Sequence, residues 1–292
     1  MRTKKALFLL IDVFSVLTFV YLTVFPERAS VPTREALVFC FSSLVPAVFM
    51  YSVLSKLIIS LPITERLSKF FGTAPIAAFI SLLCGAPVGA RIALSLYNQG
   101  AVSKRYAEYL LSFCVCPSLP FTVGFVGGTL FGSRLIGLKL LLFQVISMLT
   151  VSAGLKFLLP KEERSAPRGR LQPRKRADLR EAISEGAESM ISVCACAVFF
   201  IVCSSVLKNI FALPPLPEAI TKALLEFSSG CAAAAKLARY SLELNAFSLG
   251  WCGLSVALQV QTAVGNRLSI RLFLLGRLVS GALMTILAVI FG

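Results

Sequence analysis

The sequence has no histidine. That removes the commonest general base and the commonest metal ligand. Acidic residues are also scarce, 14 Asp and Glu against 29 Lys and Arg, and charged residues make up only 15% of the chain. Nine cysteines are present, but no C-x-x-C. Cys114 and Cys116 are two apart, as are Cys194 and Cys196, and no second ligand pair follows, so no metal site is expected. The cysteines read as reduced, buried, small apolar side chains. There is no Ser/Lys pair with useful spacing and no paired acids in the apolar runs. No catalytic residue, enzyme activity or cofactor is therefore assigned.

Apolar residues are abundant. They make up 57% of the 292 residues, with a mean hydropathy of +0.83. Several runs reach the roughly 20 residues a spanning helix needs. The net charge of +15 would suit nucleic acid, but the basic residues sit between apolar runs, as the positive-inside rule requires. The partner is then the lipid bilayer and not nucleic acid. The expected fold is all-α: a polytopic helical membrane protein with about seven spanning helices. Two re-entrant or broken helical hairpins in an inverted repeat complete it. The expected location is the cell membrane, multi-pass, with a cytoplasmic N-terminus.

Residues 1–33 read as an N-terminal transmembrane helix and an outer loop. Arg2, Lys4 and Lys5 precede an apolar run, Ala6–Phe25, that is long for a signal peptide and lacks a small-x-small cleavage site. Pro26, Glu27, Arg28 and Pro32 make the loop. Residues 34–160 form the first repeat. Its helix Glu35–Leu61 is kinked at Pro46, and Thr64–Phe71 is a short amphipathic piece. A hairpin, Pro75–Tyr97, breaks at Gly85-Ala86-Pro87. A helix Tyr106–Phe131 is interrupted at Cys116–Pro120, and Leu135–Leu159 returns. Residues 161–187, opening KEERSAPRGRLQPRKRADLRE, are a basic cytoplasmic linker. Residues 188–292 form the second repeat: Glu188–Phe211, then an outer loop Leu213–Pro217. Ala219–Ala238, with a polar centre at Glu226–Gly230, comes next, followed by Asn245–Gly265 and Ser269–Phe291.

Gly85, Pro87, Gly89, Pro117, Pro120 and Gly230 are the expected helix breakers. Proline lacks a donor and glycine loosens the helix. In lipid, freed backbone groups survive only against protein or a wet cavity, which is where a transporter keeps its site.

The halves resemble one another: EALVFCFSSLVPAVFMYSVLSKLI against ESMISVCACAVFFIVCSSVLKNIF, with Ser52-Val53-Leu54 on Ser205-Val206-Leu207. Gly85 precedes Arg91 as Gly230 precedes Lys236. The first repeat starts outside and the second inside, after the linker, so the repeat is inverted. Lys236 and Arg239 then fall on the outer side, against the charge rule.

The candidate binding residues follow from cost. Glu226 is a carboxylate in an apolar segment, expensive unless it works. Its structural alternatives are an interfacial position or a pair with Lys236 or Arg91. Ser118, Thr122, Ser228 and Ser229 flank the breaks and could bind a solute or re-satisfy the backbone. Gln259 and Gln261 face different sides of one helix, so one can reach a cavity while the other bonds a neighbour. Arg91 could hold an anionic group or anchor to headgroups.

CGAPVGARIALSLYNQGAVSKRYAEYLLSFC resembles the matching region of the YlbJ sporulation membrane proteins. These belong to the wider Gate-domain group, which takes in parts of nucleoside transporters and of the ferrous-iron permease FeoB. Gly85, Pro87, Val88, Gly89, Ala90 and Arg91 carry the motif, then Gly100, Phe113, Cys114 and Pro117. LLEFSSGCAAAAKL and GLSVALQVQT resemble two later family segments. Val115-Cys116 stands where the family has an asparagine pair, and Ala257 where it often has histidine, so no binding role is carried to those positions. The resemblance implies a sporulation-associated, permease-like protein. It would bind or move an unknown small polar solute or ion through a midplane site of broken helices. The alternative is a non-transporting assembly factor for the spore envelope (cortex), working with copies of itself or with sporulation membrane partners.

Overall fold

The computed structural model describes residues 13, 16, 18–61, 72–161 and 178–292. Among these, every regular element is helical. Five helices are long and apolar enough to cross a bilayer: Glu27–Ile58, Arg134–Lys156, Leu179–Phe211, Ser241–Val264 and Arg271–Phe291. Leu135, Leu149, Ile191, Phe199 and Val289 are exposed, while Gln144, Glu226, Asn245 and Arg277 are buried. Water would penalise this distribution and hydrocarbon tolerates it. The build is that of a polytopic helical membrane protein.

Helices α1 (Glu27–Phe39) and α2 (Val45–Ile59) form one rod through a π-helical turn, Cys40–Leu44. The wide turn lies just ahead of Pro46. Pro46 cannot donate to the carbonyl four residues back, and its ring would crowd that group. The kink expected at Pro46 is thus taken up by the preceding turn. The outer loop expected at Pro26–Pro32 is instead the start of α1. Pro26 sits at its N-cap and Glu27 in its first turn, where a carboxylate suits the helix dipole. The amphipathic piece expected at Thr64–Phe71 lies outside the described residues, as does half of the N-terminal run Ala6–Phe25.

A hairpin follows: α3 (Thr73–Cys84) and α4 (Ala86–Asn98), broken at Gly85 with φ +90°. Only glycine adopts that conformation without strain. Then α5 (Lys104–Cys114) stops, residues 115–118 run without helix, and a π-helical segment, Pro120–Leu130, takes over. Helix α6 (Arg134–Lys156) closes this half.

The second half has the same order. Helix α7 (Leu179–Phe211) is long. It begins inside the stretch expected to be linker, so only part of that linker is non-helical or outside the described residues. Helices α8 (Pro215–Leu225) and α9 (Phe227–Ala234) are broken at Glu226. Helices α10 (Ser241–Trp251) and α11 (Gly253–Val264) are broken at Cys252, which has φ +70°. Asn245–Gly265, for which the sequence predicts no break, is thus divided between two helices. Helix α12 (Arg271–Phe291) ends the fold.

Two apolar cores hold these elements. One gathers Leu110, Leu111, Val256 and Phe273. The other gathers Phe121, Phe125, Leu140, Leu249 and Met284. Each draws side chains from both halves, so neither half has a core of its own.

Candidate functional site

The breaks come together in pairs. Gly85 lies against Ser118: a Cβ at Gly85 would stand 3.5 Å from Ser118 Cβ. Gly253 lies against Glu226, where a Cβ would stand 3.2 Å from Glu226 Cα and 3.0 Å from Leu225 O. In each half the hairpin break therefore abuts the break of the interrupted helix. The two pairs meet across the halves, with the Phe121 and Phe227 rings 4.9 Å apart.

Between them is a cavity of about 70 Å³. That is room for a few waters or a small ion. Gly85, Pro87, Pro117, Ser118, Glu226, Ser228 and Gln259 line it, with apolar Val48, Phe121, Met190 and Val256 between. Three of the four breaks open onto it. The fourth, at Cys252, supports Glu226 from behind through Gly253.

Glu226 is 2% exposed. Its carboxylate caps α9, accepting from the Ser228 and Ser229 backbone N–H groups at 3.0 and 2.7 Å and from Ser228 Oγ at 2.7 Å. The helix N-terminus supplies partial positive charge there. Helix α4 and the Pro120–Leu130 segment also begin at the cavity, adding two more such ends. The field at the site favours negative charge, which explains why a carboxylate is tolerated at this depth. Its acceptor capacity is not exhausted by three donors, so it can still meet a solute.

The first-half break is held by a polar network. Gln144 of α6 donates through Nε2 to the Pro117 carbonyl at 2.8 Å, and its Oε1 accepts from Thr122 Oγ1 at 3.1 Å. Ser118 Oγ accepts from Phe121 N at 3.3 Å. Trp251 Nε1 donates to the orphan Leu224 carbonyl at the end of α8, at 3.0 Å. The freed backbone groups are thus answered by side chains.

The predicted residues divide accordingly. Glu226, Ser228, Gln259 and Ser118 line the cavity. Ser229 and Thr122 do not. One serves the α9 cap and the other the Gln144 network. Arg91 lies away from the cavity lining, 3.9 Å from Glu185, and 40% of its side chain is exposed. Gln261 caps the end of α11 by donating to Gly265 O at 2.8 Å, while Gln259 turns inward. Gly85 is a true break. Pro87 and Pro120 sit in the first turn of the helices they start, and Pro117 lies in the non-helical stretch. Gly89 and Gly230 break nothing. Both lie inside helices as packing glycines, and a Cβ would come within 2.5 Å of Cys114 O and of Ala223 Cα respectively. The second-half break is four residues earlier, at Glu226, so the sequence match of Gly85 to Gly230 was out of register.

Sequence reasoning missed Gln144, Lys56, Glu185 and Arg277. Arg277, on α12, is 1% exposed. It donates through Nη2 to Ser112 O at 3.1 Å, near the end of α5, and Nη1 lies 4.0 Å from Cys252 Sγ at the second-half break. No carboxylate pairs with it among the described residues. The signal was available, an ionisable residue in the middle of LFLLGRLVSGALMT. No family model, curated protein or solved structure matches this chain. Among the described residues no group of three or more His, Cys, Asp or Glu could hold a metal ion.

Proposed function

We propose that this chain is a permease-like membrane protein that binds a small polar solute or ion in the cavity between its four helix breaks and moves it across the bilayer. The observation that carries this reading is the convergence of breaks from both halves on one cavity holding a buried carboxylate. Such an arrangement costs stability in lipid and is kept where it serves a site.

On this reading the halves are an inverted repeat. Each has a long helix, a broken hairpin, an interrupted helix and a closing helix, in that order. The spans number about seven once the interrupted helix Lys104–Leu130 and the N-terminal run are counted. Sidedness follows from charge. Ser269 N donates to Glu108 Oε1 at 2.8 Å, which puts Arg267 and Arg271 at the same end as Lys104 and Arg105. The start of α7 lies at this end too, since Glu185 there stands 3.9 Å from Arg91 of α4, and the surplus of basic side chains supports reading this end as the cytoplasmic one. At the other end Lys208 and Lys222 are each paired with Glu218 at 2.8 Å, which offsets part of their charge. Arg239 there is stacked 4.7 Å from the Tyr240 ring. The sporulation setting rests on the resemblance of residues 84–121 to the YlbJ proteins.

The test is reconstitution in liposomes against a panel of small polar solutes and ions. Saturable uptake or binding that falls with Glu226→Ala and Gln259→Ala is expected. A panel without any saturable signal counts against transport and favours an assembly role.

A further inference from the structure

The cavity runs from the breaks toward the cytoplasmic ends of α2 and α7, where Ser52, Lys56 and Gly186 wall it. Gly186 of α7 is pressed on α2 there: a Cβ would lie 2.8 Å from Val53 Cγ2 and 3.3 Å from Ser52 Oγ. One residue earlier, Glu185 Oε2 is paired with Lys56 of α2, and Lys56 itself lines the cavity. Arg91 Nη1 of α4 stands 3.9 Å from the same Oε2. Side-chain exposure rises from 10% at Lys56 through 32% at Glu185 to 40% at Arg91. The cluster therefore grades from the cavity wall outward.

We infer that the Lys56–Glu185 pair, with Arg91 as the alternative cation, is the cytoplasmic gate of this cavity. Three features support it. The pair joins helices from opposite halves, the bodies whose relative movement would open a midplane site. It stands at the wall of a cavity of about 70 Å³, too small for any but the smallest solute, so passage requires these helices to part. Glu185 also has a second cation within reach. Its carboxylate therefore keeps a counter-charge when it leaves Lys56.

The gate rests on the solute-site reading, and its test is separable from it. Ser189 and Val193 line the cavity beyond the pair, on α7. In a chain whose nine cysteines are replaced, a single Ser189→Cys is treated with a membrane-impermeant thiol reagent on the cytoplasmic face of oriented vesicles. Glu185→Gln and Lys56→Met are expected to raise the modification rate severalfold. The exchanged pair, Lys56→Glu with Glu185→Lys, is expected to return it toward the starting value, which also shows that the variants fold. A rate unchanged by both single substitutions overturns the gate, as does an exchanged pair that reacts as fast as the singles. Robust solute uptake with no accessibility change would sink the gate alone. Altered accessibility with no uptake of any solute would leave the gate and remove the transport reading.

Discussion

Glu226 and Arg277 are both buried and ionisable, and the structure treats them oppositely. Glu226 is answered by the N-terminus it caps. Glu226→Gln keeps the shape but can accept through only one atom, and it turns an amide N–H₂ toward a backbone donor. Losing a cap of this kind costs about 0.5–2 kcal/mol. A lower thermal midpoint in detergent is expected, together with weakened solute binding. Among the described residues Arg277 has no counter-charge and its Nε no hydrogen-bond partner. Burying such a group is expensive, and an apolar residue of similar length removes that cost. Arg277→Met should therefore unfold at the same temperature or higher, measured by thermal shift, while solute binding falls because the α5 end and the Cys252 break lose their shared tie. A sharply lowered midpoint would make Arg277 a structural anchor instead. Glu226 was legible because a carboxylate stands out among apolar neighbours. Its use as a cap was not, because that depends on where the helix restarts.

At the level of elements, close backbone approach does much of the packing. Gly127 of the Pro120–Leu130 segment meets Gly137 of α6, and Gly276 of α12 meets the Ser112 carbonyl of α5; a Cβ at Gly127 or Gly276 would overlap its neighbour. Small residues let membrane helices approach this closely. Gly127→Ala and Gly276→Ala should each cost about 1–3 kcal/mol, since backbone must shift. Gly154→Ala in α6 meets nothing within 4 Å and should be neutral or slightly stabilising. Thermal unfolding of the three variants side by side checks this ordering. These glycines also mark the limit of reading from sequence. Gly85 and Pro117 announced their breaks because local chemistry forced them. Gly89 and Gly230 gave the same local signal but serve packing, which only the neighbouring helix reveals. The Cys252 break carried no proline and had only Gly253 beside it. Cys252 and Gly253 both take positive φ there, and the backbone of residues 225–227 lies against Gly253, a contact distant in sequence that one glycine does not announce.

The whole molecule is two chain segments that share their interior. Both apolar cores mix side chains from the two halves. The cavity is walled by both, and Arg277 and the Lys56–Glu185 pair reach between them. The broad class was legible because apolar run length and basic-residue placement are global properties. The meeting of the two sets of breaks was foreseeable only as a consequence of the proposed inverted repeat. The most direct test is covalent. Ser118→Cys and Ser228→Cys, one from each half and both on the cavity wall, are placed in an otherwise cysteine-free chain with a protease site inside 162–177. A short bifunctional thiol reagent is applied, and the chain is cut. The account predicts that the two fragments stay joined on a denaturing gel. Fragments that separate, although each cysteine reacts when present singly, would mean that the breaks do not share a cavity.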